Sequence, residues 1–309
     1  MMNRGIRRIA AAPHMSMLGT FTRCFPSLSG AGAYYRFCTP HLSAHRSPDH
    51  DALTERARFH LREARITRLQ TSQGDVQTYA FEPDDAIGAS VLMVHGWTGE
   101  ASFLAAFAEH FRRRGFRSVL YDFPAHGLST GKRTSLIACA HTVREVAEAF
   151  GPIHFVVAHS LGGMAALLAG SGGPPMPRPY PFQAYALIAM PNRFADVTSR
   201  FGADLGLSPA AQRSYEQRLE RLAQRRIVDF TGVNLLREAG RPALLVHARD
   251  DAEVPFRNSE EIVAAYQHAT LHPVDDLGHR KILYAPPVVR TAAAFLTSHL
   301  PPRGSDPTT

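Results

Sequence analysis

The chain has 309 residues, of which 45% are apolar and 20% charged, with 23 Gly, 22 Pro and one Trp. This is an ordinary globular composition, which excludes collagen-like, wholly disordered and coiled-coil chains. The net charge of +7 sits entirely in residues 1–70, where 11 Arg face 4 acids, while the rest carries 23 charges of each sign. A nucleic-acid enzyme spreads its basic residues over the working face, so no nucleic-acid partner is expected. Cys24, Cys38 and Cys139 are odd in number and irregular in spacing. They exclude a disulfide framework and fit a reducing, cytoplasmic setting.

The first acid is Asp49, preceded by six Arg, several Ser and short apolar clusters. Two readings of this stretch stay open: an extension loosely touching the body, or a segment lying on an anionic membrane surface. Its Arg-rich, acid-poor start also fits a targeting sequence, although Pro13, His14 and Arg23 interrupt the apolar run of a signal peptide. No run of about 18 apolar residues is present to span a bilayer. A helix is expected from a cap at Asp51 to about Arg65. Alternating polarity on either side of Ser72-Gln73-Gly74-Asp75 then predicts a β-hairpin over Ile66–Phe81.

After Pro83 the pattern changes to short, fully apolar runs separated by helical stretches. The runs are Val91–Val94, Ser118–Tyr121, Phe155–Ala158, Ala184–Met190, Ala243–Val246 and a weaker Leu271–Val274. The stretches between them include Ala101–Arg114, Leu136–Phe150 and Gly162–Gly170. Such alternation predicts an α/β fold with a mostly parallel central sheet and helices on both faces. Between Met190 and Gly240 about 50 residues, with helix formers over Ala210–Val228, stand where a crossover needs far fewer. They predict a small helical cap. The expected organisation is therefore a basic extension with a helix over 1–65, a core over 66–190 and 241–300, a cap over 191–240, and a frayed tail over 301–309.

Ala158-His159-Ser160-Leu161-Gly162-Gly163 follows a buried strand and opens a helix. Such a turn lifts a serine hydroxyl above the sheet edge, and the helix N-terminus behind it favours developing negative charge. A serine needs a base, and the base an acid to fix its tautomer. His247-Ala248-Arg249-Asp250-Asp251 and Asp276-Leu277-Gly278-His279 each follow a strand, at the sheet edge where open α/β folds place their sites. Asp250 is the rival of Asp251, whereas Asp275 and Asp276 lie too close in sequence to His279. His95, His126 and His159 are expected around the site in supporting roles, and His247 as a packed core residue. No His and carboxylate spacing suits a metal, so neither metal nor cofactor is expected.

Taken together, residues 75–300 resemble the serine-nucleophile α/β-hydrolase superfamily. The elbow G-x-S-x-G is matched with Ala158 at the first glycine, the oxyanion motif by His95-Gly96-Trp97, and the acid motif D-x-x-V-P by Asp251–Pro255. Gly278-His279 matches the base motif, and Asp122–Ser129 imitates D-x-x-G-x-G-x-S with Gly127 alone of the glycine pair. The resemblance implies that Ser160 attacks an acyl carbon, His279 carries the proton and Asp251 orients the imidazole. The backbone N–H groups of Trp97 and Leu161 would then hold the oxyanion. A serine, not a carboxylate, at the elbow points to acyl transfer. The leading expectation is a serine esterase acting on a small-molecule ester or acyl substrate. A lipid-directed thioesterase or lysophospholipase with peripheral membrane contact through the basic segment is a second reading, and a non-catalytic binding protein a third.

Overall fold

The computed structural model describes residues 14–40, 55 and 57–300, with side chains from residue 19 onward. The start of the chain, the helix cap expected at Asp51 and the tail from Pro301 lie outside the described residues.

Two helices, α1 (His14–Cys24) and α2 (Pro26–Phe37), come first. Strands β1 (Arg65–Thr71) and β2 (Gly74–Phe81) follow as the expected antiparallel hairpin, turning at Gly74 with φ 108°. Strands β3 (Ser90–Val94), β4 (Arg117–Tyr121) and β5 (Phe155–His159) alternate with α3 (Ala105–Arg112), α4 (Leu136–Phe150) and α5 (Leu161–Ser171). After β6 (Ala184–Ile188) come α6 (Phe194–Asp204), α7 (Pro209–Ala223) and α8 (Gly232–Ala239). Strand β7 (Ala243–Ala248), helix α9 (Arg257–Ala265), strand β8 (Ala269–Val274) and helices α10 (Gly278–Lys281) and α11 (Pro286–Thr297) complete the chain.

The eight strands form one sheet in the order β1-β2-β4-β3-β5-β6-β7-β8, antiparallel over β1, β2 and β4 and parallel from β4 to β8. Successive side chains of a strand point to opposite faces. Leu92 and Val94 of β3 accordingly join Val156 and Ala158 of β5 on one face, under α4 and α5. Val91, Met93, Phe155 and Val157 point to the other, where Phe107 and Phe111 of α3 and Ala292 and Leu296 of α11 cover them. Both faces of the central strands are dry, so these strands read as apolar runs and not as alternations.

Two features of the topology position the site. The chain leaves β3 toward β4 but leaves β5 toward β6, so the loops at the carboxyl ends of β3 and β5 diverge and open a crevice between them. Above that crevice stand α6 and α7. Helix α7 starts at Pro209, behind a cap in which the Ser208 hydroxyl accepts the Ala211 N–H at 3.3 Å. It buries Ala211, Tyr215, Leu219 and Ala223, one stripe at a spacing of four.

That stripe receives the N-terminal segment. Helix α2 buries Gly30, Ala33 and Phe37 against α7, and a Cβ at Gly30 would stand 2.7 Å from the Ser214 side chain. The described part of the segment is therefore not a loose extension. Its arginines lie off the buried stripe, and the small residues let the two helices approach closely.

Candidate active site

Ser160 sits between β5 and α5 with φ 50° and ψ −128°, a conformation that costs a non-glycine residue about 1–3 kcal/mol and persists only where the surroundings impose it. Here the main chain imposes it. The Ser160 N–H donates to the Ile188 carbonyl at 2.9 Å, and the Gly163 N–H to the Ser160 carbonyl at 2.9 Å. Helix α5 can start there only because residue 162 is glycine: a Cβ would lie 2.2 Å from the His95 carbonyl oxygen. At Ala158 the extra methyl is buried within the strand and accommodated.

His279 arrives from the turn after β8. Asp276 and Gly278 hold positive φ there, at 61° and 54°, and Asp250 accepts the Gly278 N–H at 3.1 Å. The imidazole Nε2 lies 3.0 Å from Ser160 Oγ, and its Nδ1 lies 2.7 Å from Oδ2 of Asp251. Three segments remote in sequence thus bring Ser160, His279 and Asp251 into one hydrogen-bonded line. Asp250 is exposed, and it accepts the Gly278 N–H of the turn, whereas Asp251 lies against the imidazole.

The Asp251 carboxylate is densely held. Its Oδ1 accepts the N–H groups of Glu253 at 2.9 Å and Val254 at 2.8 Å. Its Oδ2 also faces Nε2 of His247 at 3.3 Å. Burial alone would disfavour its charge, but the hydrogen bonds of His247 and His279, the His279 charge and the Val254 N–H outweigh it. The carboxyl is held well below the usual carboxylate range. His247 Nε2 also lies 2.9 Å from the Val254 carbonyl, and its Nδ1 lies 2.7 Å from Ser259 Oγ. A proton on Nε2 serves both the Asp251 carboxylate and the Val254 carbonyl, while Nδ1 pairs with the Ser259 hydroxyl.

Three further imidazoles brace the loops. His95 donates from Nδ1 to the Gly96 carbonyl at 2.7 Å and accepts the Phe123 N–H on Nε2 at 2.9 Å. Its burial lowers its pKa to about 4, so the ring is neutral. His126 accepts the Thr98 N–H at 3.1 Å, holding a residue with φ 59°. His159 Nε2 lies 3.0 Å from the His279 carbonyl oxygen, and burial first, then the neighbouring His279, keeps that ring neutral, so it donates.

Asp122 ties the next loop. Its buried carboxylate accepts the Ala101 N–H at 2.8 Å and the Leu128 N–H at 2.8 Å, while burial raises its pKa to about 6. Gly127 must be glycine: its φ is 47°, and a Cβ would stand 2.3 Å from that carboxyl. Ala125, where the related motif has its other glycine, keeps the positive φ of 63° despite its Cβ.

Trp97 and Leu161 flank Ser160 from the β3 loop and from the first turn of α5. The β3 loop approaches closely, since a Cβ at Gly96 would lie 3.0 Å from Ser160 Cβ. Beside these residues opens a cavity of about 740 Å³, within the range of small-molecule sites. Phe37, Trp97, Val197 and Phe201 line it together with Arg200 and Asp204, and beside His279 the lining mixes Glu253, Arg280 and Lys281 with Leu283 and Tyr284.

Sequence reasoning missed two contributors to this arrangement. His247 is a partner of the acid as well as a packed residue, and its position four residues before Asp251 was the available signal. Phe37 lies 60 residues before Trp97, and no local pattern announces their contact.

A model of the family described as the alpha/beta hydrolase family matches residues 91–294. No curated protein sequence matches the chain. Among solved structures, the chain is similar to Est1E from Butyrivibrio proteoclasticus with ferulic acid bound, at 19% identity and a TM-score of 0.59, covering 75% of this chain and 98% of that one. It is similar to the thermophilic esterase Est2 from Thermogutta terrifontis with propionate bound, at 18% identity and a TM-score of 0.57, covering 79% and 98%. A bacterial membrane phospholipase A gives 16% identity and a TM-score of 0.58, covering 80% and 91%. At these identities the likeness is one of fold.

Proposed function

This chain belongs to the alpha/beta hydrolase family, and from that premise we propose that it is a serine hydrolase cleaving carboxylic esters through an acyl-enzyme. The observation that carries the reading is the line from Ser160 Oγ through His279, at 3.0 and 2.7 Å, to the Asp251 carboxylate. His279 Nε2 takes the hydroxyl proton as Oγ bonds to the acyl carbon, then gives that proton to the departing alcohol. Water repeats the sequence on the acyl-enzyme and releases the acid. Asp251 keeps the Nδ1 proton in place and offsets the charge of the imidazolium.

The oxyanion is assigned to the backbone N–H groups of Leu161 and Trp97. Leu161 is the first residue of α5, where N–H groups have no acceptor within the helix. The helices over residues 191–240, with α2, are read as the cap that closes the cavity. A fluorophosphonate probe tests the reading: an adduct localised by mass spectrometry to Ser160 is expected, because only an activated serine reacts at a useful rate. A folded protein that gives no adduct is a non-catalytic binder, and the reading fails.

A second reading, a lipid-directed thioesterase or lysophospholipase, is favoured by the surface of α1 and α2. Among the described residues, no helix is long and apolar enough to cross a membrane. Phe21, Phe25 and Leu28 are nonetheless exposed, and they belong to the first 48 residues of the sequence, which hold six Arg and no acid. Near an anionic bilayer each such charge contributes about 1 kcal/mol. The full chain is expected to float with phosphatidylserine vesicles, and Phe25→Ser/Leu28→Ser to float less; equal flotation removes the membrane contact. Within this proposal the protein is cytoplasmic, in keeping with three free cysteines.

A further inference from the structure

A residue from the N-terminal segment lines the cavity beside Trp97. Phe37, the last residue of α2, is only 5% exposed and lines the cavity. Its ring stacks on Trp97 with centroids 5.8 Å apart and planes at 15°. It meets Phe201 of α6 edge-on at 5.0 Å, Tyr215 of α7 at 5.6 Å and Phe194 at 6.1 Å. Phe37 therefore joins the loop that follows β3 to the cap, and it lies outside the stretch over 91–294 that matches the family.

Its position is anchored at both ends of the segment. The Cys38 carbonyl accepts the Thr134 N–H at 2.8 Å. At the other end Ser208 Oγ donates to the Thr22 carbonyl at 2.7 Å, the Ser208 N–H donates to Thr22 Oγ1 at 3.1 Å, and Arg218 donates to the Ser27 carbonyl at 3.2 Å. A side chain held this way in a close-packed aromatic cluster is a fixed wall.

Reaction geometry says which part of an ester meets that wall. The leaving alcohol must lie at His279 Nε2 to receive its proton, which places it at the end with Glu253, Arg280 and Lys281. The acyl chain then extends the other way, along Trp97. Resting on the esterase reading above, we infer that Phe37 is a specificity-determining residue whose ring blocks the far end of the acyl pocket, so that the substrates are esters of a short or medium apolar acid. Phe201, Tyr215 and Phe194 of the cap pack against the ring, so truncating Phe37 lengthens the pocket toward them.

The experiment compares wild type, Phe37→Leu and Phe37→Ala on p-nitrophenyl esters from acetate to dodecanoate. One methylene more or less of apolar fit changes kcat/KM by about tenfold or more. The decanoate-to-butyrate ratio of kcat/KM is expected to rise about tenfold or more in Phe37→Ala and by less in Phe37→Leu. The leucine variant keeps most of the volume and answers if the alanine variant fails to fold. A ratio that stays within about twofold of wild type in every folded variant overturns the inference.

If wild type hydrolyses no ester and takes no fluorophosphonate, the esterase reading fails and the wall is tested by binding. Trp97 is the only tryptophan of the chain and stacks on Phe37, so its fluorescence reports occupancy of this end. Affinity for linear carboxylates is expected to stop rising at a shorter chain in wild type than in the variants. Identical plateaus overturn the assignment.

Discussion

Replacing Ser160 by alanine is expected to lower kcat for p-nitrophenyl butyrate by about 10⁶-fold, some 8 kcal/mol of barrier, and to abolish the fluorophosphonate adduct. The loss is expected to be large because the three side chains would act as one unit: without the hydroxyl, His279 has no proton to take, and the orientation Asp251 gives the imidazole serves no nucleophile. What survives is the modest acceleration from binding and from N–H groups around the oxyanion. The fold is expected to tolerate the change. Ser160 Oγ pairs with His279 Nε2 at 3.0 Å, and the hydroxyl does not cap helix α5. Alanine must adopt the same φ of 50°, so strain is unchanged and the unfolding free energy from urea titration should change by less than about 1 kcal/mol. Retention of more than about a hundredth of the turnover by a pure variant would mean that Ser160 is not the nucleophile.

Where information was local, the sequence was readable. Apolar runs such as Val91–Val94 and Phe155–Ala158 are strands of a sheet buried on both faces, and their shortness and β-branched content separate them from the equally buried helix α5. The elbow was readable because its turn demands small neighbours, and Gly162 is demanded by the approach of the His95 carbonyl oxygen. The strain at Ala125 was hidden, since nothing in an alanine announces a positive φ. The choice between Asp250 and Asp251 rested on spacing to Val254-Pro255. In space it rests on which carboxylate lies under the imidazole, at 2.7 Å for Asp251. The contribution of α2 was out of reach for a different reason. A stripe such as Gly30, Ala33 and Phe37 says that a helix buries one side, but its partner, the stripe of α7, lies about 180 residues on. Pairing two helices over that distance depends on loop closure and shape, neither of which leaves a local mark. The sheet and its edge were thus legible, while the packing of α2 on α7 was not.

Asp251→Asn is expected to lower kcat by about 10⁴-fold with KM little changed. The amide oxygen can keep the N–H groups of Glu253 and Val254 that Oδ1 now accepts at 2.9 and 2.8 Å, so the loop should hold its shape. The amide nitrogen then faces Nδ1 of His279 as a donor. Nδ1 must accept, its proton moves to Nε2, and the nitrogen 3.0 Å from Ser160 Oγ can no longer take a proton. The same amide also confronts the donor Nε2 of His247 at 3.3 Å, which should cost about 1–3 kcal/mol of stability. The pH dependence separates this from generic damage. Asp251 is held below its ordinary value of 3.8, so the stability it contributes is complete above about pH 4 and is lost as pH falls through its lower folded value. Asparagine has no such contribution, so the gap between variant and wild type in urea midpoints should narrow as pH drops below about 4. Asp250→Asn serves as the control: its carboxylate accepts the Gly278 N–H at 3.1 Å, which an amide oxygen can also do, and turnover should be nearly unchanged. If Asp250→Asn instead loses the activity and Asp251→Asn keeps it, the acid has been assigned to the wrong neighbour.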